Sequence, residues 1–216
     1  AVRRQFEAFV RFRSAPALVP NGVDTRVFRP LDDMRRAALR AELGAGAATP
    51  LLLFVGRFVE KKGLPVLRLL AERLAQARWL FAGWGPDDPE RWALPNVTVA
   101  RGRSGASLAP LYQAADLLVL PSRGEGFPLV VQEAMACGTP ALVTAETAAG
   151  CPDAAHLLLA EEIGGADVVA RWERRIREIT SAASGSAALR GAVAAHAAAS
   201  WSWERCAERY AELLRR

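Results

Sequence analysis

From Leu51 onward the chain alternates between short apolar runs and stretches with helical periodicity, and this alternation limits the fold more than any other feature. The runs are Leu51–Val55, Trp79–Ala82, Val97–Val99, Leu117–Leu120 and Ala141–Val143. Runs this short and this continuously apolar are the pattern of strands covered on both faces. Between them, Leu64 to Ala77 places Leu64, Leu67, Leu70, Ala71 and Leu74 on one face and Arg68, Glu72 and Arg73 on the other, predicting an amphipathic helix. Ser107 to Ala114 predicts a short helix, and Pro128 to Cys137 a helix with proline at its first position, where the missing N–H costs nothing. Further helices are predicted over 165–181, 186–199 and 203–215. Strands alternating with helices of this length give an α/β, Rossmann-like parallel sheet with helices on both faces and extra helices at the C-terminus. Such sheets bind ligands at the carboxyl ends of their strands, which directs attention to the loops after residues 55, 82, 100, 120 and 143.

The first 50 residues read differently. Phe6, Phe9, Val10 and Phe12 among Arg3, Arg4, Arg11 and Arg13 suggest an amphipathic helical end. Asn21-Gly22 is a turn signal that ordinarily marks a hairpin. Asp32 to Leu43 predicts a helix ended by Gly44, followed by a loop to Pro50.

The chain has 216 residues, enough for one large domain with a real core. With 51% hydrophobic and 24% charged residues it is neither disordered nor fibrous. No apolar run nears the ~20 residues that span a bilayer, and the start shows no signal-peptide core. Cys137, Cys151 and Cys206 are an odd set without metal-ligand spacing, which favours a reducing compartment. The expected location is the cytoplasm or the inner membrane face. A net charge of +5 raises the question of a polyanion, but all but two of the 28 basic residues are arginines in an alanine-rich chain. That composition looks like a GC-rich, bacterial codon bias, so nucleic acid is not expected as a partner. The two lysines, Lys61 and Lys62, are adjacent, and point-like ammonium groups kept there are the more informative fact.

Lys61 and Lys62 lie in the loop after the first run, Gly56-Arg57-Phe58-Val59-Glu60-Lys61-Lys62-Gly63. Gly56 would let backbone approach a ligand, and Arg57 with Lys62 would put two cations at the binding edge, enough to neutralise a diphosphate. A solvated charged loop fits the same residues. There is no P-loop, since GxxxxGK[ST] does not occur. After the fourth run, Gly124 and Gly126 flank Glu125, and a helix begins near Pro128 whose free N–H groups favour an anion. Glu133 sits within Leu129, Val130, Val131, Ala134, Met135 and Ala136. An acid in so apolar a helix needs a partner, either a ligand's hydroxyl pair or one of the arginines.

Glu125 and Glu133, seven residues between them, lie within Glu-Gly-Phe-Pro-Leu-Val-Val-Gln-Glu-Ala-Met-Ala-Cys-Gly-Thr-Pro. This stretch resembles the donor-site signature of the retaining glycosyltransferases of family 4, which have the GT-B fold. The resemblance extends over most of the chain. Asn21-Gly22-Val23-Asp24 with Phe28 and Pro30 looks like the family's entry into its second domain. Gly56-Arg57 and Glu60-Lys61-Lys62-Gly63 look like its diphosphate loop, and Gly83-Trp84-Gly85-Pro86 like its glycine turn. Leu111-Tyr112, Ala115-Asp116 and Trp203-Glu204 are similar to its flanking segments.

The resemblance implies roles by position. As catalytic residues, Arg57 and Lys62 would hold the donor's diphosphate and stabilise the leaving nucleotide, and Glu125 would face the sugar and diphosphate. Gly56, Gly83 and the backbone of Gly126, Phe127, Pro128 and Leu129 would line the donor. Glu133 would bind the ribose hydroxyls, with Arg103 and Ser104 near the base. The implied chemistry is metal-independent, retaining transfer of a hexosyl group from a nucleoside-diphosphate sugar, most simply of the UDP type, with no separate cofactor. Glu125 and Glu133 are therefore not expected to work as a glycosidase acid/base pair. The implied organisation is an entry segment over 1–20, a donor-binding domain over 21–200 and a closing helix over 201–216 that packs back toward an N-terminal, acceptor-binding lobe. That lobe would be the chain's partner, in the same chain or as a separate subunit. A non-catalytic nucleotide-sugar-binding subunit and a nucleotide-sugar epimerase are the alternatives. Ala145 to Cys151 departs from the family's Gly-Gly stretch, which puts sugar contacts from that loop in doubt. Trp84 is a candidate to touch ligand. Cys137 reads as a packed small residue, and His156 and His196 have no partner within motif reach.

Overall fold

The computed structural model describes residues 9–12, 16–181 and 183–215. Among these, six strands form one parallel sheet: β1 (Leu51–Val55), β2 (Arg78–Ala82), β3 (Val97–Ala100), β4 (Leu117–Leu120), β5 (Ala141–Thr144) and β6 (Leu159–Glu161), in spatial order β3-β2-β1-β4-β5-β6. β1, β4 and β5 are buried at every position, as their unbroken apolar runs require. The helices are α1 (Asp33–Glu42), α2 (Leu64–Arg73), α3 (Ala109–Ala114), α4 (Leu129–Ala136), α5 (Ala145–Ala149), α6 (Val168–Ser181), α7 (Ala183–Trp201) and α8 (Trp203–Leu214). The five apolar runs are all strands. The sequence does not predict α5 or β6: β6 takes only the last two residues of the apolar run Leu157–Ala160 before polar Glu161, and α5 lies where the resemblance implies a glycine stretch.

Strand order reverses direction between β1 and β4, so the crevice at their carboxyl ends is the topological switch point. Three backbone contacts fix that crevice. Gly63 takes a left-handed φ of 79°, and a Cβ there would lie 2.5 Å from the Pro121 carbonyl oxygen. The Arg123 N–H donates to the Lys61 carbonyl at 2.9 Å. The loop after β2 closes on the loop after β1, with Phe58 N–H donating to the Trp84 carbonyl at 2.8 Å. Phe58 is fully buried, its ring 6.2 Å from Phe54 and continuous through Phe81 with Trp92. It pins the β1 loop while its neighbour Arg57 stays exposed.

At the opposite end of the sheet, Asp116 accepts from the Leu51 N–H at 2.8 Å and pairs with Arg36 and Arg40 of α1 at 2.6 and 2.8 Å. α1 starts at Asp32, whose side chain caps the Arg35 N–H, and ends before Gly44 at φ 74°.

Asn21-Gly22 makes no hairpin. Val23 instead bridges in parallel to Ser202, its N–H donating to the Trp201 carbonyl at 2.7 Å. Gly22 is required because the Trp203 ring lies against it, 2.4 Å from where a Cβ would be. Chain entry and the α7–α8 break are thus clasped together. Pro128 precedes α4 as its N-cap, in extended conformation, and does not occupy the first helical position. The proposed helical end at 6–12 lies partly outside the described residues; Phe9 to Phe12 are turn and coil. Among the described residues no helix is long and apolar enough to cross a membrane.

Candidate functional site

The β1 and β4 loops bring Lys62 and Glu125 together at the switch point. The Lys62 Nζ and Glu125 Oε1 form an ion pair, with side chains 19% and 13% exposed. Lys62 ends a short 3₁₀ turn (Glu60–Lys62) that Gly63 closes, so the Gly63–Pro121 contact also sets where Lys62 projects. Arg57 is held differently. Its guanidinium lies over the Trp84 ring at 4.8 Å, and Trp84 is itself 67% exposed. This cation–π contact orients the arginine without consuming its hydrogen-bond donors.

Gly56 and Gly83 are used for close approach. At Gly83, φ is 153° and a Cβ would meet the Gly56 carbonyl oxygen at 1.9 Å. The two loops can lie this close only without a side chain there.

α4 follows the Glu125 loop. Its first N–H groups have no carbonyl within the helix to accept them; Pro128 contributes none and Val131 donates to the Pro128 carbonyl at 3.0 Å, which leaves those of Leu129 and Val130. Glu133, one turn further, is partly buried among Val131, Ala134, Met135 and Ala136. Burial pushes its pKa above the usual carboxylate value, while the Tyr112 hydroxyl, donating to Oε2 at 2.8 Å, acts to lower it. The alternative raised by the sequence, a salt bridge to arginine, is not formed among the described residues.

The segment after β5 meets the same loop. Glu146 of α5 accepts from the Gly124 N–H at 3.1 Å, and a Cβ on Gly150 would lie 2.4 Å from the Gly126 carbonyl oxygen. The departure from a Gly-Gly stretch therefore still leaves a segment in direct contact with the Glu125 loop. Phe127, from that loop, packs edge-on against Trp201 at 5.0 Å, joining it to the clasp at chain entry.

Arg103 and Ser104 are not drawn into the Lys62–Glu125 cluster. Both are exposed, and the Ser104 N–H donates to the Ser107 hydroxyl at 2.8 Å. Neighbouring Arg101 pairs with Asp88 at 2.6 Å and with Glu90. Sequence reasoning missed two contributors. Tyr112 and Glu146 act across the fold, and no local spacing announces either. His156 and His196 do meet, with ring centroids 6.0 Å apart, and His196 stacks edge-on against Trp201 at 4.8 Å. Cys137, Cys151 and Cys206 are free and buried, and burial raises all three thiol pKa values, so none is an activated nucleophile. Among the described residues no group of three or more His, Cys, Asp or Glu could hold a metal ion.

A family model described as glycosyl transferases group 1 matches residues 49–174. D-inositol 3-phosphate glycosyltransferase from Segniliparus rotundus is 36% identical over 210 residues, covering 88% of this chain and 44% of that protein. The chain thus spans less than half the length of the curated relatives it matches. Sucrose-phosphate synthase from Thermosynechococcus elongatus superposes with a TM-score of 0.81 at 26% identity, over 98% of this chain and 55% of that one. Anabaena HepE, solved in complex with UDP-glucose, shares the fold with a TM-score of 0.74 at 20% identity, over 91% and 56%.

Proposed function

The chain belongs to the group 1 glycosyl transferases, and we propose that it is the donor-binding lobe of a retaining, metal-independent enzyme that takes a UDP-sugar. The observation that carries this reading is the meeting of Lys62 and Glu125 at the switch point, with Glu133 one turn into the helix that follows. The fold shared with HepE and the name of the Segniliparus relative support a nucleotide-sugar donor and a glycosyl transfer.

In this reading the anomeric C–O bond to the diphosphate breaks, and negative charge gathers on the departing phosphate. Arg57 and Lys62 stabilise that charge, the guanidinium as a fork and the ammonium as a point. The N–H groups of Leu129 and Val130 add the partial positive end of α4. Glu133 accepts from the ribose hydroxyls. Glu125, displaced from Lys62 by the diphosphate, turns to the sugar's hydroxyls. The acceptor's hydroxyl oxygen bonds to the anomeric carbon from the same face as the departing phosphate, which takes the hydroxyl proton, and the anomeric configuration is retained. An acceptor lobe faces the crevice, and α8, with Trp203, Tyr210 and Leu214 exposed, packs toward it.

Calorimetry of the chain with UDP in excess chelator tests the reading. Binding without divalent metal is the expected result. No heat with UDP, GDP, ADP or dTDP would remove the donor site.

A further inference from the structure

Glu133 poses a problem that its own helix does not solve. A partly buried carboxylate needs donors, yet it must keep an oxygen and its charge for a ligand if it is to bind a hydroxyl pair. An arginine partner would satisfy the burial and defeat the purpose, because its planar fork engages both oxygens and cancels the charge. Tyr112 instead donates a single neutral hydrogen bond to Oε2 at 2.8 Å. Among the described residues no hydrogen bond reaches Oε1, and Glu133 forms no ion pair. One oxygen is anchored and the other stays available.

Tyr112 is itself firmly placed. It is fully buried in α3, its ring packs edge-on against Phe28 at 6.0 Å, and its carbonyl accepts the Thr139 hydroxyl. Thr139 lies in the turn three residues after α4, so α3 is tied both to α4 and to the turn that ends it. Burial and the neighbouring carboxylate hold the Tyr112 phenol pKa well above its ordinary value, which keeps it a donor.

Resting on the donor-site reading above, we propose that Tyr112 is a positioning residue for nucleotide recognition, holding the Glu133 carboxylate so that Oε1 meets the ribose hydroxyl pair. Tyr112 does not touch the ligand. It makes the site select a ribonucleotide over one lacking those hydroxyls.

The test compares UDP with 2′,3′-dideoxy-UDP by calorimetry on the whole chain, for the wild type, Tyr112→Phe, Glu133→Gln and the double variant. Wild type should prefer UDP. Tyr112→Phe should weaken UDP about tenfold, the size of a lost hydrogen bond to a charged group, and leave the dideoxy nucleotide nearly unchanged. In the Glu133→Gln background, where no carboxylate is left to be positioned, the effect of Tyr112→Phe on the preference for UDP should shrink markedly. Equal weakening of both nucleotides by Tyr112→Phe would mean a packing role, and an intact preference for UDP would mean none; either overturns the proposal. Should Tyr112→Phe not fold, Thr139→Val, which releases the Tyr112 carbonyl, should erode the same preference, and an unchanged preference would overturn it. UDP binding in the wild type without preference over the dideoxy form would refute the ribose assignment itself, and no UDP binding would refute the donor site.

Discussion

Lys62 and Glu125 stand 63 residues apart in sequence and form an ion pair at the carboxyl edge of the sheet. The pair occupies the place where a diphosphate is expected, so the lysine that would meet the phosphates is already neutralised in the free chain.

Removing the carboxylate charge should therefore release Lys62. Glu125→Gln is expected to tighten UDP about three- to tenfold, because the phosphate no longer competes with a partly buried acid. In the proposed transferase, with its acceptor lobe present, the same variant should lose turnover. Titration of UDP against Glu125→Gln checks the first part; unchanged or weaker binding would contradict it.

Arg57 depends on Trp84 for its direction. Trp84→Ala should weaken UDP about two- to fivefold, consistent with an exposed cation–π contact of about 0.5–1 kcal/mol, and Trp84→Phe should recover most of the loss. Fluorescence of the exposed Trp84 should change when UDP binds.

Glu133 has a raised pKa in the fold, so its protonated form is favoured there relative to the unfolded chain. Its contribution to stability is fullest below the ordinary carboxylate value and is lost as pH rises from there through the raised one, above which it no longer changes. Ribose binding runs the other way, because the neutral acid is a poorer acceptor. UDP affinity should begin to fall above the ordinary carboxylate range as pH is lowered. Glu133→Gln should abolish that component, which parallel titrations of the two proteins will show.

Gly83→Ala should destabilise the fold by about 3 kcal/mol or more, since it combines an unfavourable φ with backbone overlap at Gly56. Denaturant unfolding measures this directly. Gly102→Ala meets nothing within 4 Å and should cost only the strain of its left-handed φ, 66°.

The sheet was legible because its strands are buried on both faces and so write themselves as unbroken apolar runs. β6 was not legible, being partly exposed and three residues long. The site loops were legible through their glycines and charges, and through a signature that spans Glu125 to Pro140. What the sequence does not reveal is which groups pair across elements. Glu133 could have met any of many arginines and meets Tyr112; Arg101, near the expected base site, is taken by Asp88 and Glu90. Asn21-Gly22 carried a strong local turn signal, which a tertiary contact overrode once Trp203 came to rest on the glycine. Local spacing fixes elements, whereas these pairings depend on where the crossovers deliver them.

In the proposed donor site Arg57 and Lys62 hold a diphosphate at the switch point. The most direct test of that assignment is the affinity of Arg57→Ala and Lys62→Ala for UDP and for uridine, measured in chelator. Each variant should weaken UDP at least about tenfold, the scale of a lost charge-assisted contact, and leave uridine nearly unchanged. Equal losses for both ligands, or no loss for UDP, would contradict it.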